Sequence, residues 1–145
     1  MLFLLFFPMS SMCRIHSNVE LRPGLHLNLI IGPNGSGKST IVSAMCLGLG
    51  GSPNVLDRQK QIDSFIKHGE KKATIEIELQ KHPENVVIKR VIEAKGAKGT
   101  SSWFIDSKPT TMNDVLKMTK SLNIQIDNLC QFLPQERVSA FADMS

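Results

Sequence analysis

The sequence contains few of the residues from which disulfide or metal frameworks are built. Its three cysteines, Cys13, Cys46 and Cys130, stand far apart and are odd in number. Their spacing fits neither a disulfide framework nor a zinc-type ligand set, so we expect buried, reduced thiols. The four histidines form no cluster either. Together these absences argue against a disulfide-stapled secreted domain and against a Cys/His metal site.

The sequence also lacks internal repeats and an apolar run long enough to cross a membrane. Met1–Phe7 is almost wholly apolar, but this run is too short to span a bilayer and lacks the basic residues of a secretory signal. We expect residues 1–17 to be an atypical N-terminus, disordered or non-native, and we expect no membrane partner. The rest of the chain, residues 18–145, is long enough for about one domain with a real core.

Positive charge is only slightly in excess. The formal net charge is +4 and the isoelectric point is about 9.1. This balance is compatible with a nucleic-acid partner, but basic domains without one are common. One stretch is enriched in basic residues: Arg58, Lys60, Lys67, Lys71 and Lys72. It fits contacts with DNA phosphates and a solvated surface about equally well, so both interpretations stay open.

The most informative motif is a phosphate-binding loop of the form G-x-x-x-x-G-K-[ST]. The matching residues, with the threonine that follows, are Gly32, Pro33, Asn34, Gly35, Ser36, Gly37, Lys38, Ser39 and Thr40. The glycines let backbone N–H groups approach a triphosphate closely. Lys38 is predicted to contact the β- and γ-phosphates, and the Ser39 hydroxyl to bind Mg²⁺. The motif therefore predicts a nucleoside triphosphate site.

The residues around the loop occur in the order that this motif requires. Leu25–Ile31 is an apolar run typical of a buried parallel strand, and Lys38–Leu49 has near-helical apolar spacing. A helix that begins at Lys38 directs its positive end at bound phosphates. A glycine-rich turn that binds nothing is therefore a poor alternative.

A two-residue alternation follows and predicts an antiparallel meander. The residues that share one face of its first strand are Ala73, Ile75, Ile77 and Leu79. Val86–Ile92 and Ser102–Asp106 are predicted as the next strands, with Trp103 in the core and a turn at Ser107–Pro109. The predicted fold class is α/β: a parallel strand, the loop and its helix, then the antiparallel meander.

A second helix is predicted after the meander. Thr111 is followed three residues later by Asp114, a spacing that suits a helix N-cap. The apolar face of this helix would consist of Val115, Leu116, Met118 and Leu122.

Two segments together resemble a known family. The loop is similar to those of ABC-type ATPases, and Asn128–Val138 has the more specific sequence NLCQFLPQERV. With Leu27–Gly32, this segment resembles the N-terminal head segment of structural maintenance of chromosomes (SMC) ATPases. Within that family, the resemblance is closest to the Smc five/six complex, and it covers roughly residues 19–145. It implies a P-loop NTPase fold of the ABC/SMC head type, of which residues 18–145 would be the N-terminal lobe.

The resemblance also implies roles for individual residues. Gly32–Thr40 would be the Walker A loop, which binds ATP and Mg²⁺. Gln135 would be the Q-loop glutamine, which reaches Mg²⁺ and the attacking water, with Gln131 as a nearby competitor. Lys38 and Gln135 are thus the candidate catalytic residues, and Ser39 and Gln135 the candidate Mg²⁺ ligands. Arg58 is the candidate for a basic residue that links DNA contact to ATP hydrolysis.

The partners implied by the resemblance are those of a DNA-organising complex. ATP would clamp this head to a different head of the protein six type, joined by a kleisin and other non-SMC subunits. The complex would bind DNA and serve recombinational repair of double-strand breaks. This role implies a nuclear, chromosome-associated location.

Several parts of a complete SMC head do not occur in the sequence. It has no heptad run, no hinge, no Leu-Ser-Gly-Gly-type signature and no Walker B Asp–Glu pair. Because Walker B acids hold Mg²⁺ and activate water, we expect negligible ATPase activity from residues 1–145 alone. A non-catalytic nucleotide-binding or assembly module is therefore an alternative. A different P-loop enzyme, such as a nucleotide kinase, is a weaker one because no Arg-rich lid is visible.

Overall fold

The computed structural model describes residues 3–4, 19–24, 26–56, 61–95, 99–126 and 128. The described strands form one antiparallel sheet in sequence order: β1 (Phe3–Leu4), β2 (Lys72–Leu79), β3 (Val86–Glu93), β4 (Thr100–Ile105) and β5 (Lys108–Thr110). Two helices, α1 (Lys38–Gly48) and α2 (Met112–Ser121), accompany the sheet. Short 3₁₀ turns lie at Pro53–Leu56 and Ile62–Phe65. The predicted α/β class with an antiparallel meander is confirmed.

The core lies on one face of the sheet, where the alternation in the sequence predicted it. Ala73, Ile75, Ile77 and Leu79 are all buried along β2. Their partners on β3 are Ile92, Arg90, Ile88 and Val86, respectively, and these are buried too. Because side chains alternate between the two faces of a strand, this register places all of them on one face. Trp103 of β4 lies opposite Arg90 and is also buried, which confirms it as a core residue.

Helix α1 packs closely on this face through a glycine. A Cβ atom at Gly48 would lie 2.5 Å from Ile77 Cδ1 and 2.7 Å from Ile75 Cγ2. The absence of that atom lets the helix backbone approach the sheet. The helix ends at Gly48, and Gly50, two residues later, has a φ of 96° in the left-handed region. The Gly51 N–H donates to the Cys46 carbonyl at 2.8 Å. This is the glycine-terminated arrangement common at helix ends.

The buried thiol of Cys46 fits the expectation of reduced cysteines. Its side chain is fully buried in α1, and burial raises its pKa to about 12. The nearby Arg90 guanidinium opposes this shift without cancelling it. Because the thiolate is the reactive form of cysteine, this residue is chemically inert in the folded protein. Cys13 and Cys130 lie outside the described residues.

The predicted turn at Ser107–Pro109 is displaced by one residue in the structure. Asp106 and Ser107 form the turn, with φ values of 49° and 65°, and Lys108–Thr110 continues as β5. Two successive residues with positive φ match the turn type whose twist suits a two-residue hairpin. Pro109 can lie in a strand here because β5 is at the edge of the sheet, where its missing N–H breaks no ladder bond.

The predicted N-cap of α2 is confirmed. The Thr111 side chain accepts a hydrogen bond from the Asp114 N–H at 3.2 Å, and its hydroxyl donates to Asp114 Oδ2 at 2.6 Å. This hydroxyl is the main reason that the pKa of Asp114 lies below its usual value. The two residues therefore cap the helix reciprocally.

We expect Thr111→Ala to destabilise the protein by about 1 kcal/mol, as is typical for a lost N-cap. Because the folded state lowers the pKa of Asp114, its contribution to stability is present at neutral pH and lost in acid, below about pH 4. Urea unfolding of wild type and Thr111→Ala at pH 7 and pH 3 measures both effects. The stability difference should shrink at pH 3, and an unchanged difference would contradict the reciprocal cap.

The predicted parallel strand at Leu25–Ile31 is not formed within the described residues. Residues 26–31 form no strand, and Leu27, Leu29 and Ile31 are 94%, 78% and 83% exposed. A parallel strand needs a hydrogen-bonded neighbour and cover on both faces, and no described strand lies beside this run. The Asn28 side chain instead bonds to the backbone of Gly24 and His26. The strand prediction is therefore wrong for this structure.

The sheet gains an edge strand that the sequence analysis did not predict. Phe3–Leu4 pairs with β2, with Phe3 opposite Leu79 and Leu4 opposite Glu78. The alternation rules could not find it, because two residues are too short to show a period. The structure describes only these two residues of the segment 1–17, so the expectation for that segment as a whole stays a prediction.

Candidate nucleotide-binding site

The loop Gly32–Thr40 leads directly into α1 and has a backbone that requires glycine. Gly35 and Gly37 have φ values of 83° and 93°, a region that other residues rarely adopt. A Cβ atom at Gly32 would lie 2.6 Å from Ser36 Oγ. The loop also closes on itself through the Ser36 N–H, which donates to the Pro33 carbonyl at 3.2 Å. Gly35 and Gly37 are therefore needed for the shape of the loop, and a side chain at Gly32 would displace the Ser36 hydroxyl.

Within the described residues, the N-terminus of α1 has no side-chain cap and no acidic residue in its first turn. Gly37 is the N-cap residue. The first N–H groups of an α-helix have no carbonyl partner inside the helix, and the helix dipole makes this end positive. An anion is the ligand that both features favour.

The Lys38 ammonium lies against the start of the loop. It donates hydrogen bonds to the Gly32 carbonyl at 2.6 Å and to the Pro33 carbonyl at 2.8 Å. These two carbonyls hold the Lys38 ammonium beside the loop, close to the positive N-terminal end of α1. Phosphate oxygens are stronger acceptors for an ammonium than neutral carbonyls are, so a bound phosphate would compete well for Lys38.

The hydroxyl expected to bind Mg²⁺ is positioned on the first turn of α1. Ser39 is exposed, and its carbonyl accepts a hydrogen bond from Ser43 Oγ at 3.0 Å, one turn further along the helix. Within the described ranges, no group of three or more His, Cys, Asp or Glu residues could hold a metal ion. A single hydroxyl suits Mg²⁺ that is bound mainly by phosphate oxygens and water. The loop residues therefore fit a triphosphate with its Mg²⁺.

Two other predicted site residues lie outside the described residues. These are Arg58, the candidate DNA sensor, and Gln135, the candidate Q-loop glutamine. Gln131, the alternative to Gln135, also lies outside the described residues. Their roles, like the catalytic role of Lys38 and the metal-binding role of Ser39, stay predictions. What the structure brings together is the loop, Lys38 and the start of α1.

The sequence analysis missed an arginine at the opposite end of α1. Arg90 of β3 is only 4% exposed, and its Nη1 donates to the Leu47 carbonyl at 2.7 Å. Burial lowers its pKa to about 10, so the guanidinium is still charged at neutral pH. The signal was present in the sequence, because Arg90 occupies an inward position of the alternation in Val86–Ile92.

A cleft near this end of α1 is separate from the loop. Its volume is about 210 Å³, and it lies between Gly50–Ser52 and residues of α2, among them Leu116 and Lys120. Helix α1 has eleven residues and is therefore about 16 Å long, which places the cleft and the phosphate-binding loop at its two ends.

Neither described helix has the length or apolar character needed to cross a bilayer.

Comparison with known proteins agrees with the features of this site. Residues 12–145 match the AAA_23 family of AAA domains. A curated relative, structural maintenance of chromosomes protein 5 of Schizosaccharomyces pombe, is 48% identical over 126 residues. The match covers 86% of this chain but only 11% of the relative, so the chain spans about a tenth of its length.

Solved structures show the same fold. An Smc head domain with a coiled coil and joint, derived from Pyrococcus yayanosii, matches with a TM-score of 0.81 and 23% identity over 99% of this chain and 30% of that one. An SmcHead bound to the C-winged helix domain of ScpA matches with a TM-score of 0.67 and 26% identity over 78% of this chain and 37% of that one. The chain therefore belongs to the structural maintenance of chromosomes family, within its protein 5 branch, as an N-terminal segment of the head.

Proposed function

We propose that this chain is the ATP-binding segment of an SMC head and that Gly32–Thr40 holds the triphosphate. The observation that supports this most strongly is the uncapped N-terminus of α1, reached through the two left-handed glycines Gly35 and Gly37. Backbone N–H groups and the helix dipole there favour phosphate, and Lys38 adds a positive charge beside them. Family membership agrees with this ligand.

The proposed division of labour follows from the chemistry of each group. The loop and the first turn of α1 bind the phosphates, and Lys38 exchanges its carbonyl partners for β- and γ-phosphate oxygens. Ser39 would hold Mg²⁺, and a bound Mg²⁺ would supply positive charge beside the phosphate oxygens. We assign Gln135 to the metal and the attacking water on the resemblance alone. None of these groups is a carboxylate that could activate water.

Hydrolysis therefore requires residues from elsewhere in the protein. We expect the 145-residue chain to bind ATP but to show negligible turnover, and to gain ATPase activity when it is mixed with the C-terminal head segment of the whole protein. A phosphate-release assay on each segment and on the mixture tests this. If the chain alone hydrolysed ATP, and Lys38→Ala abolished this activity, the proposal that hydrolysis needs residues from elsewhere would be contradicted. A mixture that binds ATP but stays inactive would favour a non-catalytic module.

We further propose that the whole protein works in a Smc five/six-type complex. The support is the similarity to protein 5 and a solved SmcHead bound to a domain of ScpA, which shows that a protein of this fold takes a further subunit. The proposed partners are a protein six-type head, a kleisin, other non-SMC subunits and DNA, in nuclear repair of double-strand breaks. Affinity purification of the tagged protein from chromatin tests this set. Recovery of the protein without a second SMC subunit would contradict it.

A further inference from the structure

Arg90 is a buried charge whose contacts in the described part of the chain are with neutral groups and an aromatic ring. Its guanidinium donates to the Leu47 carbonyl from Nη1 and to Ser101 Oγ from Nε and Nη2, at 3.3 and 3.2 Å. Its carbon Cζ lies 4.3 Å from the centre of the Trp103 ring. In the part of the chain that the structure describes, no Asp or Glu pairs with it. The charge is therefore stabilised by neutral groups and by an aromatic face.

The shortest of these hydrogen bonds is with the C-terminal end of α1, the helix that follows the phosphate-binding loop. Leu47 is the penultimate residue of α1, and the last turn of the helix contains no basic residue of its own. In a Schellman ending, the carbonyl at this position usually accepts a hydrogen bond from the left-handed residue, here Gly50. The Gly50 N–H forms no backbone bond to Leu47 within the described residues. Arg90 supplies the missing donor and a positive charge at the negative end of the helix.

We propose that Arg90 is a positioning residue for the nucleotide site, which rests on the proposed binding of ATP at Gly32–Thr40. It fixes the C-terminal end of α1 against the sheet and so sets the direction in which the N-terminal end meets the phosphates. Because the helix is stiff and about 16 Å long, an altered contact at one end tilts the other. Ser101 and Trp103 hold the guanidinium in the plane that this contact requires.

Packing of the core alone would be served better by an apolar side chain at this position. Arg90 lies on the inward face of β3 between Ile88 and Ile92, which are fully buried. Even buried ion pairs can often be replaced by apolar side chains of similar volume without loss of stability, so packing alone does not call for a buried charge. The lowered pKa of Arg90 shows that its charge is poorly solvated where it lies. The charge therefore has a use that packing alone does not explain, and the helix end is the group it contacts most closely.

The test measures ATP affinity and helix motion in the whole protein that carries this chain. Wild type, Arg90→Met and Arg90→Lys are titrated with ATP and Mg²⁺ by calorimetry at a temperature where all are folded. We expect Arg90→Met to weaken binding by about tenfold, because α1 would no longer be fixed in the direction that meets the phosphates. Arg90→Lys should lie in between, because an ammonium lacks the fork that reaches both Leu47 and Ser101. Amide hydrogen exchange in α1 should rise in parallel.

A matched control separates positioning from stability. Ile88→Ala removes packing from the adjacent inward position without touching the helix carbonyl, so it should lower stability and leave ATP affinity unchanged. Equal affinities for wild type and Arg90→Met, or an equal loss in Ile88→Ala, would overturn the role of Arg90. If Arg90→Met does not fold, Ser101→Ala is used in its place. We expect Ser101→Ala to lose less ATP affinity than Arg90→Met would, and an unchanged affinity would overturn the proposal. A wild type that binds no ATP would overturn the proposed function and this role together.

Discussion

We expect Lys38→Ala to weaken ATP binding by about 100-fold. The lysine is predicted to contact both the β- and the γ-phosphate, and each hydrogen bond to a charged group contributes about 1.5–3 kcal/mol. In the structure its ammonium already lies at the loop, 2.6 Å from the Gly32 carbonyl. Calorimetric titration with ATP and Mg²⁺ measures the loss. Circular dichroism should show that α1 is kept, since alanine is a good helix former.

A lysine elsewhere provides the matched control. Lys117 of α2 has a side chain that is 80% exposed, and it pairs with Asp114 at 3.8 Å. Lys117→Ala removes the same charge and the same number of atoms, so it should leave ATP affinity unchanged. If both variants bind ATP as wild type does, the phosphate site is not at Gly32–Thr40. If both lose affinity equally, the effect is one of net charge.

We expect Ile77→Ala to lower the free energy of unfolding by about 2–5 kcal/mol, the range for large-to-small changes in a core. Ile77 is fully buried in β2, pairs with Ile88 of β3, and is the residue on which Gly48 of α1 packs most closely. Its loss therefore leaves a cavity between the sheet and the nucleotide-loop helix. Urea unfolding of the chain, followed by circular dichroism, measures the change.

Leu29→Ala is the control for this prediction. It removes a side chain of the same size from a residue that is 78% exposed, so the expected change is within about 0.5 kcal/mol. A loss as large as that of Ile77→Ala would mean that the run at 26–31 is buried in solution. The comparison thus tests the correction to the predicted parallel strand as well as the position of the core.

Local chemistry was sufficient to predict much of this protein from its sequence. The loop was found because a phosphate site demands glycine, lysine and serine at fixed spacing in a single short segment. The faces of β2 and β3 followed from side-chain alternation, which is a property of any strand. The cap formed by Thr111 and Asp114 involves residues three apart on one turn. In each case, the interacting residues are neighbours in the chain, so their pattern is visible without a fold.

Other features depend on contacts between distant residues, and only the tertiary structure decided them. Leu27, Leu29 and Ile31 have the composition of a buried strand, yet a strand needs a neighbour, and none is provided by the described residues. Phe3–Leu4 pairs with residues more than seventy positions away. Arg90 meets Leu47 across 43 positions of sequence. Hydrogen bonds and burial are properties of two partners, and the sequence of one partner does not specify the position of the other.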